Sequence, residues 1–223
     1  MIVGQSRRCI FRFFLFILRL FFLCRIKISK EDKVRLRNLK SKVIVANHPS
    51  ILDIVVLMSV VPDANCIVGQ QYVKSALGGV IKKAFILNSL EFDELCQVCR
   101  KNIEAGSNII IFPEGTRTPR EGNSQYKKGA ARVALSCGAD IQPLLIWGSD
   151  KFGLQKNNPF WSFNHLESYV YEIIPLDELK VSEYEDLPRP AAAKRLTGKI
   201  MEEIKAAAEE YRKISRYRTF NMV

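Results

Sequence analysis

The sequence predicts a mixed α/β domain, a partly parallel central sheet flanked by helices, with an amphipathic membrane-interface helix at the N-terminus. Three observations lead there. Short apolar, β-branched runs of strand length recur along the chain, and stretches with helical apolar spacing alternate with them. Glycines stand where several helical stretches should stop. Basic charge and phenylalanine are both concentrated near the N-terminus. At 223 residues, such alternation fits one domain, residues 43–223, behind a basic, aromatic-rich segment, residues 1–42.

In the first segment the charge-free apolar runs of five or more residues are only Phe13–Leu18 and Leu20–Cys24. A spanning helix wants about 20 mostly apolar residues, and Arg12 and Arg19 would lie inside it. Arg19 also breaks the apolar core that a signal peptide needs. On a helical wheel Arg8, Arg12 and Arg19 share one narrow stripe opposite phenylalanine and leucine. That pattern suits a helix lying in a membrane interface with its arginines reaching headgroups. A core helix shielding a pocket, or half of a short re-entrant hairpin, would show the same stripe. Residues 25–42, dense in Lys and Arg, read as a solvated connection or a short strand.

The body then alternates. Val43–Ala46 is a buried strand. The helix containing Ile54–Met58 takes Pro49 at its first position, where a missing N–H is harmless, and His48 as its cap. Asn65–Val68 is a strand, and Lys74–Lys83 a helix loosened by Gly78-Gly79. Phe85–Leu87 is a short strand. Glu91–Ala105 is a helix with Phe92, Leu95, Cys99 and Ile103 on one face and Gly106 as its left-handed cap. Asn108–Phe112 is a strand and Pro119–Ser124 a loop. Gly129–Cys137 is a small-residue helix, apolar nearly all round and so buried, closed by Gly138. Ile141–Trp147 is a strand, Ser149–Leu166 is irregular, and Tyr169–Ile174 is a strand. From Pro190 to about Ile214, Leu196, Ile200, Ile204 and Tyr211 mark a long helix.

The net charge of +11 is unevenly placed. Residues 1–43 hold twelve Lys and Arg against two Asp and Glu, and the rest holds twenty-two against twenty-one. Such an arm meets something anionic, a lipid surface or a nucleic acid. The arm's aromatics run continuously rather than interleaved at base-stacking intervals, and the body has no basic face, so nucleic acid is the poorer partner. The six cysteines sit mostly in apolar elements, which favours a reducing compartment. Cys96 and Cys99 form a C-x-x-C with no second pair or histidine near it, on an apolar helix face, and read as core rather than metal ligands.

Two stretches carry chemistry. In Asn47-His48-Pro49-Ser50-Ile51-Leu52-Asp53, a histidine at the cap can fold its ring over the first helical turn, where Asp53 projects. A carboxylate on one imidazole nitrogen leaves the other to accept a proton, which makes a general base with its orienting group. A capping histidine beside a solvated first-turn acid is the plainer reading. In Phe112-Pro113-Glu114-Gly115-Thr116-Arg117, proline and glycine force a tight turn directly after a strand. The turn presents Glu114 and Arg117 at the rim of the sheet, where an arginine fork suits phosphate or carboxylate. A Glu–Arg surface pair is the plainer reading here.

Together, in this order, N-H-x4-D and F-P-E-G-T-R resemble the glycerolipid acyltransferase family, the PlsC-like lysophosphatidate type. The likeness continues through Tyr126-Lys127-Lys128-Gly129-Ala130-Ala131 and the Pro-centred run Ile141-Gln142-Pro143-Leu144-Leu145-Ile146. It covers about Val43 to Trp147. The resemblance implies that His48 removes the acceptor hydroxyl's proton and Asp53 holds the ring. It implies substrate binding by Glu114, Gly115, Thr116 and Arg117, with Asn47 and Ser50 beside them. Backbone N–H groups of Ser50 and Ile51 are expected to meet the oxyanion. No metal and no cofactor are implied beyond acyl-CoA or acyl-carrier protein as co-substrate. The expected partners are an anionic membrane surface and a lysolipid acceptor, foremost 1-acyl-glycerol-3-phosphate, with the protein held monotopically on the cytoplasmic face. One departure bears on the acceptor. Where the family has basic residues, this chain has Gln70-Gln71 and Asn88, all neutral. Lys74, Lys82 or Lys83 would have to substitute, or Arg117 would act alone, or the acceptor is another lipid such as a lyso-ornithine lipid. His165, among Phe163, Asn164 and Leu166, reads as a loop histidine.

Overall fold

A computed structural model describes residues 2–20, 24–69, 85–88, 91–118, 125–150 and 168–215. Its elements in chain order are α1 (Ile2–Leu20), β1 (Cys24–Lys27), α2 (Lys30–Arg37), β2 (Val43–Ala46), α3 (Asp53–Val60), β3 (Ala64–Val68) and β4 (Ile86–Leu87). There follow α4 (Phe92–Glu104), β5 (Asn108–Ile111), α5 (Gly129–Cys137), β6 (Ile141–Gly148), β7 (Tyr169–Pro175), a 3-10 turn at Val181–Tyr184, and α6 (Arg189–Ile214). The expected helix at 74–83, the loop at 119–124, most of the irregular stretch, Gln70, Gln71 and His165 lie outside the described residues.

The seven strands form one sheet in the order β1-β7-β6-β2-β5-β3-β4. All neighbours are parallel except β6 and β7, so the mixed, partly parallel sheet is present. The central strands are buried on both faces, which is why they read as mostly apolar runs rather than alternating ones. Their alternating side chains feed two cores. Val43, Val45, Ile109, Ile141, Leu145 and Trp147 face α4, α5 and α6. Ile44, Ala46, Ile110, Leu144, Ile146 and Tyr171 face the side covered by α1, α2 and α3. Cys96 and Cys99 lie in the first core, as their helix face implied. Gly106 and Gly138 end their helices with φ of +88° and +62°.

Of the two readings of residues 25–42, a solvated connection or a short strand, the strand is present at Cys24–Lys27. β1 pairs in parallel with β7, Cys24 to Lys27 against Tyr169 to Glu172, so the sheet begins before residue 43. Ser29 caps α2, its Oγ accepting the Asp32 N–H at 2.9 Å. Leu36 is 1% exposed, and Arg35 donates to the carbonyls of Pro175 and Leu176. A helix with one buried side chain has no apolar period to read, which is why α2 escapes a hydrophobicity argument.

α1 lies against α3. Arg8 donates from Nε to Ser59 O and from Nη2 to Val60 O, capping carbonyls at the end of α3. Phe11 and Leu15 turn toward the core, while Ile10, Phe13, Phe16 and Leu20 are 60–66% exposed. At the other edge of β6, Gly148 has φ +125°, and a Cβ there would stand 1.9 Å from Val170 O. Only a residue without a side chain allows β6 and β7 to approach so closely.

Candidate active site

β2 and β5 run side by side and parallel near the middle of the sheet, and both motifs leave from their carboxyl ends. That is where open α/β sheets bind ligands. Asn47, the first residue past β2, donates from Nδ2 to Ile146 O at 3.0 Å and accepts at Oδ1 from Ile146 N–H at 2.7 Å. His48 is tied to the other motif. Its N–H donates to Thr118 Oγ at 3.0 Å, and its carbonyl accepts the Thr118 N–H at 2.6 Å. Its ring stacks on Phe112, centroids 4.1 Å apart. Nδ1 stands 2.9 Å from Asp53 Oδ2.

The two motifs therefore meet, but not through the expected cap. α3 starts at Asp53, with Leu52 at its N-cap, so Pro49 is not a first helical residue. The carboxylate of Asp53 explains the late start. It reaches backward to accept the Ser50 N–H at Oδ2, 2.7 Å, and the Ser50 Oγ–H at Oδ1, 2.6 Å. These bonds hold residues 50–52 in a turn rather than a helix. Asp53 is 0% exposed, and a buried carboxylate needs such donors. With Nδ1–H given to Asp53, Nε2 carries the lone pair that can take a proton.

Several expected contacts change. Asn47 and Ser50, expected to bind substrate, are each 0% exposed, with side-chain bonds directed to Ile146 and to Asp53 and Tyr171. The Ser50 N–H, expected at the oxyanion, is given to Asp53. Two partners account for these changes: the buried carboxylate of Asp53 takes the Ser50 donors, and Ile146 of β6 takes the Asn47 carboxamide. Ile51 and Leu52 are half-buried.

The second motif has two sides. Phe112 to Gly115 form a β-turn, closed by the Gly115 N–H on Phe112 O at 3.1 Å, with proline second and glycine fourth as such turns prefer. Glu114 does not stand at the rim. It is 4% exposed, and its Oε1 accepts the Thr118 Oγ–H at 2.7 Å. It thereby holds the hydroxyl that receives the His48 N–H. Gly115 and Thr116 are exposed and Arg117 is half-buried. Gly115 has φ +67°, and the Lys127 ammonium lies against it, 2.9 Å from where a Cβ would stand. Lys127 is pinned there by its own N–H on Pro113 O. The basic, exposed side of the turn is thus separate from the buried side that braces His48. Thr118 and Tyr171 are the supporting residues that motif reading missed. Thr118 directly follows the second motif, a signal of position only. Tyr171 gave none.

Burial pushes the Glu114 carboxyl up to about 7 against the Thr118 hydroxyl's opposing bond. Glu114 Oε2 and the Tyr126 hydroxyl are both buried with no hydrogen-bond partner among the described residues. The folded chain thus keeps a proton that the unfolded chain, with its carboxyl near 4.5, releases. The stability this contributes is complete below that value and is lost as pH rises to about 7 and beyond. Glu114→Gln keeps an acceptor for Thr118 and is expected to flatten the decline, which is on the order of 3 kcal/mol. Urea denaturation across pH measures it; an unchanged slope would show that another group titrates.

Among the described residues no cluster of His, Cys, Asp or Glu could hold a metal ion. A family model described as Acyltransferase matches residues 25–147. The chain is 38% identical over 85 residues to a 1-acyl-sn-glycerol-3-phosphate acyltransferase of Borreliella burgdorferi, covering 38% of this chain and 33% of that protein. It is 26% identical over 167 residues to the human 1-acyl-sn-glycerol-3-phosphate acyltransferase beta, covering 71% and 59%. A chloroplastic 1-acyl-sn-glycerol-3-phosphate acyltransferase of Brassica napus is 29% identical over 140 residues, 55% of this chain and 38% of that one. The chain thus spans between a third and three-fifths of the length of these relatives. The crystal structure of the 1-acyl-sn-glycerophosphate acyltransferase PlsC from Thermotoga maritima shares the fold, with a TM-score of 0.71 at 18% identity over 97% of this chain and 81% of that one.

Proposed function

The chain belongs to the acyltransferase family, and on that premise we propose that it moves a fatty acyl group from an acyl thioester to the hydroxyl of a lysophospholipid, foremost 1-acyl-glycerol-3-phosphate. The observation that carries this reading is the His48 Nδ1–Asp53 Oδ2 contact of 2.9 Å at the carboxyl end of β2, with Phe112 of the second motif stacked on the same ring. His48 Nε2 takes the proton of the acceptor hydroxyl as its oxygen attacks the thioester carbonyl. The tetrahedral intermediate then expels the thiolate, which takes the proton from His48. The histidine ends neutral, with Asp53 holding one tautomer throughout. The donor is acyl-CoA or acyl-carrier protein, and the chain's own residues supply the acid–base chemistry without a cofactor.

Arg117, on the outer side of the turn, binds the acceptor's anionic head, with Gly115 and Thr116 shaping its approach. Arg117→Ala is expected to raise the acceptor KM about tenfold or more while the donor KM changes little. Equal effects on both would take Arg117 out of the acceptor site. One observation favours a second acceptor. Asn88, neutral and exposed at the end of β4, stands where the family's basic residue was expected, which suits a lysolipid with less phosphate to clamp. A panel of lysolipids with radiolabelled acyl-CoA and acyl-carrier protein, separated by thin-layer chromatography, decides both donor and acceptor. No product from any pair would end the proposal.

The protein works from a membrane surface on the cytoplasmic face. Ile10, Phe13, Phe16 and Leu20 project from α1 away from the core, and Arg12 and Arg19 flank them. Among the described residues no helix is long and apolar enough to cross a membrane. The cysteines sit mostly in apolar elements, which suits a reducing compartment. Phe13→Glu with Phe16→Glu is expected to weaken binding to anionic liposomes more than about tenfold, since each buried phenylalanine contributes roughly 1.5–3 kcal/mol. Unchanged flotation would place the membrane contact elsewhere.

A further inference from the structure

We propose that Tyr171 is a positioning residue for acyl transfer, holding Asp53, and through it His48, by way of Ser50. The inference rests on His48 acting as the base. Tyr171 sits in β7, 121 residues along the chain from Ser50, and is 0% exposed. Its hydroxyl stands 2.7 Å from Ser50 Oγ, which stands 2.6 Å from Asp53 Oδ1, while Asp53 Oδ2 meets His48 Nδ1. The chain of contacts is unbroken from a sheet strand to the imidazole.

Proton counting fixes its direction. A carboxylate has no proton to give, so Ser50 must spend its single hydroxyl proton on Asp53. The Tyr171–Ser50 contact is then satisfied only if the phenol donates and Ser50 Oγ accepts. Burial holds the Tyr171 hydroxyl well above the usual phenol range, so the donor persists. A hydroxyl that is itself receiving a hydrogen bond donates more strongly. Tyr171 thus tightens the Ser50–Asp53 bond and fixes the carboxylate plane that aims the imidazole. Its own position is set by the sheet. Tyr171 pairs with Ile26 on β1 and with Gly148 on β6, and the missing side chain at Gly148 lets Val170 and Tyr171 come close.

A residue that only filled the core would behave differently in three measurements. Tyr171→Phe removes one oxygen and keeps the ring. It is expected to lower kcat about tenfold to hundredfold, the scale of a misaimed catalytic group, with both KM values within about twofold of the original. Ser50→Ala is expected to lower kcat comparably, and the double variant to be no slower than Ser50→Ala alone, because both remove one chain of bonds. The proton resonance of His48 Nδ1–H, identified by its loss in His48→Ala, is expected to move in Tyr171→Phe while the circular dichroism stays unchanged. Wild-type kcat and resonance in Tyr171→Phe, or losses that multiply in the double variant, overturn the proposal. His48→Ala run alongside separates two failures. Turnover surviving there removes the base itself, whereas an inactive His48→Ala beside a wild-type Tyr171→Phe removes only the role of Tyr171.

Discussion

Replacing His48 by alanine is expected to lower kcat by about 10²–10⁴-fold, the usual share of a general base, and to leave the fold intact. The fold should survive because the backbone bonds between His48 and Thr118 remain and Asp53 keeps both donors from Ser50. The loss is confined to one ring stacked on Phe112 and one bond to a carboxylate. Arg12, Arg19 and the exposed apolar face of α1 lie on another element, so liposome binding should be unchanged. The measurement is acyl transfer to the lysolipid identified by the acceptor panel, with thermal unfolding and flotation as controls. Turnover within a few-fold of wild type would mean that the acceptor's proton leaves by another route.

Gly148→Ala is expected to be the most damaging single methyl in the described structure. The new Cβ would meet Val170 O at 1.9 Å and Val170 C at 2.8 Å, both backbone atoms that cannot swing away. The φ of +125° adds strain for any L side chain. The expected loss is about 4 kcal/mol, or roughly 10 °C in Tm for a domain of this size. Gly198→Ala is the matched control. It lies inside α6 with no heavy atom within 4 Å of its Cβ position, and alanine there should stabilise by about 0.5–1 kcal/mol. Differential scanning calorimetry of both variants reads the contrast. Equal melting temperatures would show that β6 and β7 separate at Gly148 without cost.

The central strands were legible because they are buried on both faces, so they read as mostly apolar runs despite Asn108, Gln142 and Pro143. Val43–Ala46, Asn108–Ile111 and Ile141–Gly148 are of this kind. The long helices were legible from their periodic apolar faces, as Cys99 and Ile103 in α4 and Leu196, Ile200 and Ile204 in α6 illustrate. β1 was harder, since Cys24-Arg25-Ile26-Lys27 is a strand only because β7 offers an edge. At the candidate site, spacing in the motifs was enough to bring His48 to Asp53 but not to say how. Pro49 suggested an early helix start, while Asp53 in fact folds back on Ser50 and delays it. Glu114 looked like a rim residue because it is charged and lies in a turn. Its partner, Thr118, is four residues on and gives no sign in the sequence of pulling it inward. Tyr171 was least legible, because a long-range contact across the sheet leaves no local pattern.

Asn47 acts as a splice between two kinds of structure. The last β2 residue, Ala46, pairs with Leu144, and past it the main chain peels away from the sheet. The Asn47 carboxamide, using one N–H and its oxygen, impersonates the missing peptide group for Ile146. The neighbouring strand therefore sees an unbroken ladder, while the backbone is released a step early to follow another path. Departure at that point leaves both backbone groups of Ile146 paired, so the shape of the turn that leads into α3 is free to answer to chemistry instead of to the sheet.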